Sequence, residues 1–176
     1  MHSPVFPWKN LMEKISAATL EYLEGQITSG AEAVQIFDSW AGVLSSEEYK
    51  KYVLPYSKKL MNGLKGKVPV IHFGTGTGPF LEIFADAGGD VVGVDHHLSL
   101  KEGWERIGPR KAIQGNLDPK VLFLSLREIK KNVKKILKDA DGRSGHIFNL
   151  GHGVLPETPV ENVVALVEMV HELSQK

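Results

Sequence analysis

The chain has 176 residues, is 42% hydrophobic and 24% charged, and carries 21 Lys plus Arg against 21 Asp plus Glu. That balance removes the bulk-charge argument for a nucleic-acid or anionic-membrane partner, so an acidic ligand must be held by local groups. Cysteine is absent, which excludes disulfides, thiolate nucleophiles, iron–sulfur clusters and cysteine-containing zinc sites.

The opening Met1-His2-Ser3-Pro4-Val5-Phe6-Pro7-Trp8 has no cationic stretch leading into an apolar run, and no later segment approaches the ~20 apolar residues that span a bilayer. The expectation is a single soluble domain over residues 1–176, cytoplasmic, with Val5-Phe6-Pro7-Trp8 as a connector. From Lys9 to Ser29, Leu11, Met12, Ile15, Ala18, Leu20, Leu23 and Ile27 recur mostly at three- and four-residue steps, which predicts an amphipathic helix ended by Gly30.

One theme then repeats: a short apolar run, a Gly-rich or polar turn, and a helical stretch. The runs Ala33–Phe37, Val68–Phe73, Asp90–Val94, Ala112–Gln114 and His146–Leu150 read as buried strands. Between them the pattern predicts helices over Ser46–Leu64, Pro79–Ala87, Leu100–Arg106 and Ser125–Ala140, with Val160–Ser174 closing the chain. Ser45 stands at a helix start, and Ser125-x-x-Glu128 spells a capping box.

Such alternation makes an α/β protein with a parallel sheet, either open and doubly wound or a segment of an eight-stranded barrel. Both place ligands at the carboxyl ends of the strands. The residues there are Asp38-Ser39-Trp40-Ala41-Gly42, Gly74-Thr75-Gly76-Thr77-Gly78, Asp95-His96-His97, Gly115-Asn116-Leu117-Asp118-Pro119 and Gly151-His152-Gly153.

Taken alone, the Gly74–Gly78 loop followed by Val91-Val92-Gly93-Val94-Asp95 reads as the cofactor loop of an S-adenosylmethionine-dependent methyltransferase, the acid accepting ribose hydroxyls. Against this, His72 stands near the end of the strand where such enzymes usually carry an acid. The loop also follows the second strand rather than the first, and the other strand-end motifs go unexplained.

Three segments carry a broader resemblance: Gln35-Ile36-Phe37-Asp38-Ser39-Trp40-Ala41-Gly42, Gln114-Gly115-Asn116-Leu117-Asp118-Pro119, and Asn149-Leu150-Gly151-His152-Gly153-Val154-Leu155-Pro156-Glu157-Thr158-Pro159. With Pro69–Phe73 and Asp90–Asp95 in order between them, the chain resembles the C-terminal half of the uroporphyrinogen decarboxylase family, from about the first helix to the end.

The resemblance implies the last five βα units of a distorted (β/α)8 barrel, preceded by one helix. It implies a carboxy-lyase of heme biosynthesis that converts uroporphyrinogen to coproporphyrinogen without metal or cofactor. The family's proton-donating carboxylate, arginine clamps and reactive-site tyrosine belong to the N-terminal half, so no catalytic residue is assignable in this chain.

What carries over is substrate binding: Ser39 and His152 as donors to substrate carboxylates, and Phe37 as an apolar wall for the macrocycle. The bland alternatives are a local backbone bond for Ser39 and turn formation for Asp38 and Asp118. Asp95 fits equally a place in the cleft or a cap on the following turn. His96 and His97, adjacent on a strand, face opposite ways, so a solvated loop is expected rather than a metal site. Arg106, Arg110, Arg127 and Arg143 read as surface charges.

A five-stranded segment leaves two open parallel edges, which predicts a covering partner. The candidates are an N-terminal half chain, a second copy in a homodimer, or rearrangement to an open sheet. The expectations are that the isolated chain lacks decarboxylase activity and that its ligand is a tetrapyrrole. A non-catalytic tetrapyrrole-binding half-barrel is the remaining alternative.

Overall fold

A computed structural model describes residues 7–175, so Val5 and Phe6 of the expected connector lie outside the described residues. Helix α1 (Trp8–Thr28) precedes five βα units: β1 (Val34–Phe37), α2 (Ser46–Tyr52) and α3 (Leu54–Leu64); β2 (Val70–Phe73) and α4 (Leu81–Ala85); β3 (Val91–Gly93) and α5 (Leu100–Ile107); β4 (Ala112–Leu117) and α6 (Leu126–Ala140); β5 (His146–Leu150) and α7 (Val160–Ser174). No helix among the described residues is long and apolar enough to cross a membrane.

Two expected helices are each divided. The stretch over Ser46–Leu64 breaks at Val53, which leaves helical geometry with φ −120°, and Pro55 then opens α3 near its first position, where its missing N–H costs nothing. A short 3-10 turn over Gly78–Phe80 takes the first part of the stretch expected to begin at Pro79. The reciprocal capping box forms at Ser45 and Glu48, where the Ser45 N–H donates to the Glu48 carboxylate at 2.9 Å; Ser125 makes only the forward half, accepting from the Glu128 N–H.

The sheet decides between the two architectures. Its strands lie in the order β1-β2-β3-β4-β5, every neighbouring pair parallel. A doubly wound sheet reverses its strand order partway; this one advances in a single direction, which curls it into part of a (β/α)8 barrel.

The curl is visible in a hydrogen bond. Gln114 on β4 donates from Nε2 to Oε1 of Gln35 on β1 at 3.3 Å, across two intervening strands. Gln35, Phe37, Phe73, Gln114, Ile147 and Asn149 therefore face the concave side, while the alternate residues face the helices. On that outer side one core joins Val92, Val94, Ile113 and Leu117 to helices α2 through α7, and a smaller one packs Leu23, Leu60, Met61 and Leu64 over Val34 and Val70.

A closed barrel fills its interior with side chains. Here Phe37 is 68% and Ile147 40% exposed, and β1 and β5 each pair on one side only. Beside the β5 edge, Val160, Val164 and Val167 form an exposed stripe along α7; Leu11 and Ile15 do the same on α1.

Candidate functional site

The strand ends gather at the mouth of this concave face. Phe37 and Gln35 from β1 share a hollow of about 250 Å³ with Phe73 from β2 and with Asn149, His152 and Val154 from the opposite edge. Sequence positions more than a hundred apart thus line one cavity, and the Phe37 ring meets Phe73 edge-to-face at 6.1 Å. Apolar rings form one wall, and imidazole and amide groups stand on the other. None of the residues lining it is lysine or arginine.

Ser39, two residues beyond Phe37, is not among the residues lining this hollow. Its carbonyl accepts from the Thr75 hydroxyl, which ties the loop after β1 to the loop after β2. Among the described residues the Ser39 hydroxyl itself has no partner, and it is only partly buried. The local backbone bond offered as the alternative role of the Ser39 hydroxyl is not made.

The glycines serve this loop contact. Gly76 has φ +68°, and a Cβ at Gly42 would run into the Thr75 carbonyl and the Gly76 backbone. The loop after β2 is a close-packed structural turn. Its acid partner is also committed: Asp95, 4% exposed, accepts the Gly76 N–H at 2.6 Å and the His97 N–H at 3.0 Å. Burial pushes the Asp95 carboxyl up, but these two N–H groups and the His97 ring together outweigh it and hold it below the usual range. A carboxylate so occupied is not free to receive ribose hydroxyls.

The remaining strand-end residues brace the mouth. Asn116 donates to the Asp95 and Leu98 carbonyls at 2.8 and 2.6 Å, and Asp118 accepts from the Lys120 N–H as the turn former expected of it. His96 and His97 lie in a turn, as expected, but their rings do not face opposite ways: off the strand the alternation lapses, and the centroids stand 4.2 Å apart. No three groups capable of holding a metal ion cluster among the described residues.

The arginines stand elsewhere. Arg106 forks onto Glu82 at 2.6 and 2.7 Å, and Arg143 lies over the Trp104 ring at the opposite end of the strands.

Sequence reasoning did not single out Gln35, Gln114 and Asn149 as facing the cavity, nor the pairing of Asp95 with His97. The amides had a signal, since each is a polar residue at an alternate position of an apolar strand. The Asp95–His97 contact had none, because it depends on the turn geometry after β3.

Behind the site lies one further polar group. His72 on β2 points into the helix layer, 1% exposed, stacked on Phe84 with centroids 3.9 Å apart. Neither ring nitrogen has a hydrogen-bond partner, and Nε2 is 3.8 Å from the Asp38 carboxylate, too far for a hydrogen bond.

A family model described as uroporphyrinogen decarboxylase matches residues 1–173. Curated relatives include a uroporphyrinogen decarboxylase of Geobacter metallireducens, 53% identical over 94% of this chain and 49% of its own length. Another, from Carboxydothermus hydrogenoformans, is 54% identical over 95% of this chain and 48% of its own length. The chain thus spans about half the length of the curated relatives it matches. Among solved structures, a methyltransferase from Methanosarcina mazei superposes with a TM-score of 0.80 at 26% identity, over 91% of this chain and 48% of that one.

Proposed function

Because the chain belongs to the uroporphyrinogen decarboxylase family, we propose that it forms the C-terminal, substrate-cradling half of a decarboxylase barrel that turns uroporphyrinogen into coproporphyrinogen. One observation carries this reading: Phe37 and His152, from opposite edges of a curled parallel sheet, line a single hollow at the strand ends. Phe37 and Phe73 offer a flat apolar surface to a macrocycle, and His152 with the unpartnered Ser39 hydroxyl offers donors to its carboxylates.

The chemistry needs a place for electrons when carbon dioxide leaves. Protonation of the pyrrole carbon beside the acetate supplies it, since the ring cation then accepts the electron pair of the breaking carbon–carbon bond. A proton then adds to the exocyclic methylene carbon so formed, and the ring carbon gives up the proton it had taken, which restores the pyrrole and leaves a methyl group. No residue lining the hollow is an acid. In this reading the proton donor comes from the other half of the barrel, and this chain binds and orients substrate. The open edges of β1 and β5 are where the complementary strands pair, and the exposed stripes on α1 and α7 are where their helices pack.

Anaerobic assay with uroporphyrinogen tests the division of labour. The expected result is no turnover by the chain alone, and turnover on mixing with a chain carrying the family's N-terminal half. Turnover by the pure chain would place the proton donor within these residues and overturn the assignment. The methyltransferase reading gains no support from the cofactor-type loop, because Asp95 is occupied by Gly76 and His97.

A further inference from the structure

We propose that His97 is a further carboxylate-binding residue of the strand-end face, its imidazole held by Asp95 so that Nε2 meets the ligand. Nδ1 of His97 lies 3.1 Å from the Asp95 carboxylate. A carboxylate only accepts, so Nδ1 carries the proton in this contact, and Nε2 is left on the far edge of a side chain that is 72% exposed. The contrast between the two partners is the key. Asp95 is buried and fixed by two backbone N–H groups, whereas the ring it orients stands in solvent. A buried acid that fixes the tautomer and direction of an imidazole is how proteins ready a histidine for a ligand.

Position gives the ligand class. A Cβ on Gly151 would strike the backbone N of His96, so the Asp95–His97 turn lies directly against the segment that carries His152. The rings of His96 and His97 are 4.2 Å apart, and Nδ1 of His96 is buried without a partner. His97 thus stands beside the segment of His152, whose cavity wall holds no lysine or arginine to meet a polycarboxylate. Donating from Nδ1 to Asp95 and from Nε2 to a ligand carboxylate, the His97 ring bridges a fixed acid and the ligand.

This inference rests on the reading of the strand-end face as the tetrapyrrole cleft. The test is calorimetric titration of the chain with uroporphyrin, the oxidised octacarboxylate. His97→Gln, which keeps a donor but not the two-ended imidazole, should bind about tenfold more weakly. Ring-nitrogen NMR of the complex should find both nitrogens of His97 donating, Nδ1 to Asp95 and Nε2 to the ligand. Parent-like affinity in His97→Gln, with binding weakened about tenfold in His152→Ala, would overturn the role of His97 while leaving the cleft standing. No binding by the parent would overturn both.

Discussion

Replacing His72 by Phe should change the way stability depends on pH. The ring buried against Phe84 is kept, and the two nitrogens without partners are removed. Burial drives the His72 pKa down from its ordinary 6.5; the Asp38 carboxylate opposes this shift and Lys111 adds to it. In the unfolded chain His72 titrates near the ordinary value, so below about pH 6.5 the unfolded state binds a proton that the folded state refuses. The contribution of His72 is therefore fully present above the unfolded pKa and is lost as pH falls toward the folded one. Each pH unit inside that window removes up to about 1.4 kcal/mol.

The assay is urea unfolding followed by tryptophan fluorescence at pH 7.5 and 5.5. Between those two values the stability of His72→Phe relative to the parent should rise by up to about 1.4 kcal/mol. At pH 7.5 the loss of two unsatisfied nitrogens, worth ~1–3 kcal/mol, is offset by the added ring volume, so the change with pH is the diagnostic quantity. Parallel pH profiles for variant and parent would refute the claim that His72 is held neutral by burial.

His146 is also pushed down by burial, with the Gly115 carbonyl opposing, so His146→Phe should flatten the same acid limb, measured by the same unfolding series. Gly42→Ala should destabilise by ~1–3 kcal/mol, because the new methyl meets backbone of the loop after β2 rather than a side chain that can turn away; thermal unfolding measures this. Ser39→Ala and His152→Ala should each weaken uroporphyrin binding about tenfold in fluorescence titration, with melting temperatures unchanged, since each loses one charge-assisted bond to the ligand. Arg106→Ala should cost only about 0.5 kcal/mol and less in high salt, because Glu82 across the fork is half exposed.

The strand-end residues could be found from sequence because the βα rhythm marks where each strand stops, and ligands gather at those stops whatever the sheet's shape. Ser39 and His152 stand at two of those stops, but they and Phe37 were singled out by the family resemblance, which came from ordered motifs rather than from any single loop. Helix limits were legible where a cap or a turn residue marked them, as at Ser45. The break at Val53 was less so: Pro55 signals only a disfavoured helix interior, and packing decides whether a chain bends or restarts there.

By itself the sequence determined a parallel α/β chain, five strands, the residues at their carboxyl ends and the family; the expectation that all five are buried fails at the edges, where β1 and β5 are largely uncovered. Strand order was beyond it, because the same βα alternation serves both an open sheet and a barrel. Only the tertiary structure decided that β1 through β5 advance in one direction and curl until Gln114 reaches Gln35. The same curl brought Phe37 to His152, and the turn after β3 set the imidazole of His97 against a buried Asp95 beside Gly151. Local pattern fixes which way a side chain faces on its own strand; which distant strand it faces depends on the sum of twists between neighbours, and no single segment records that sum.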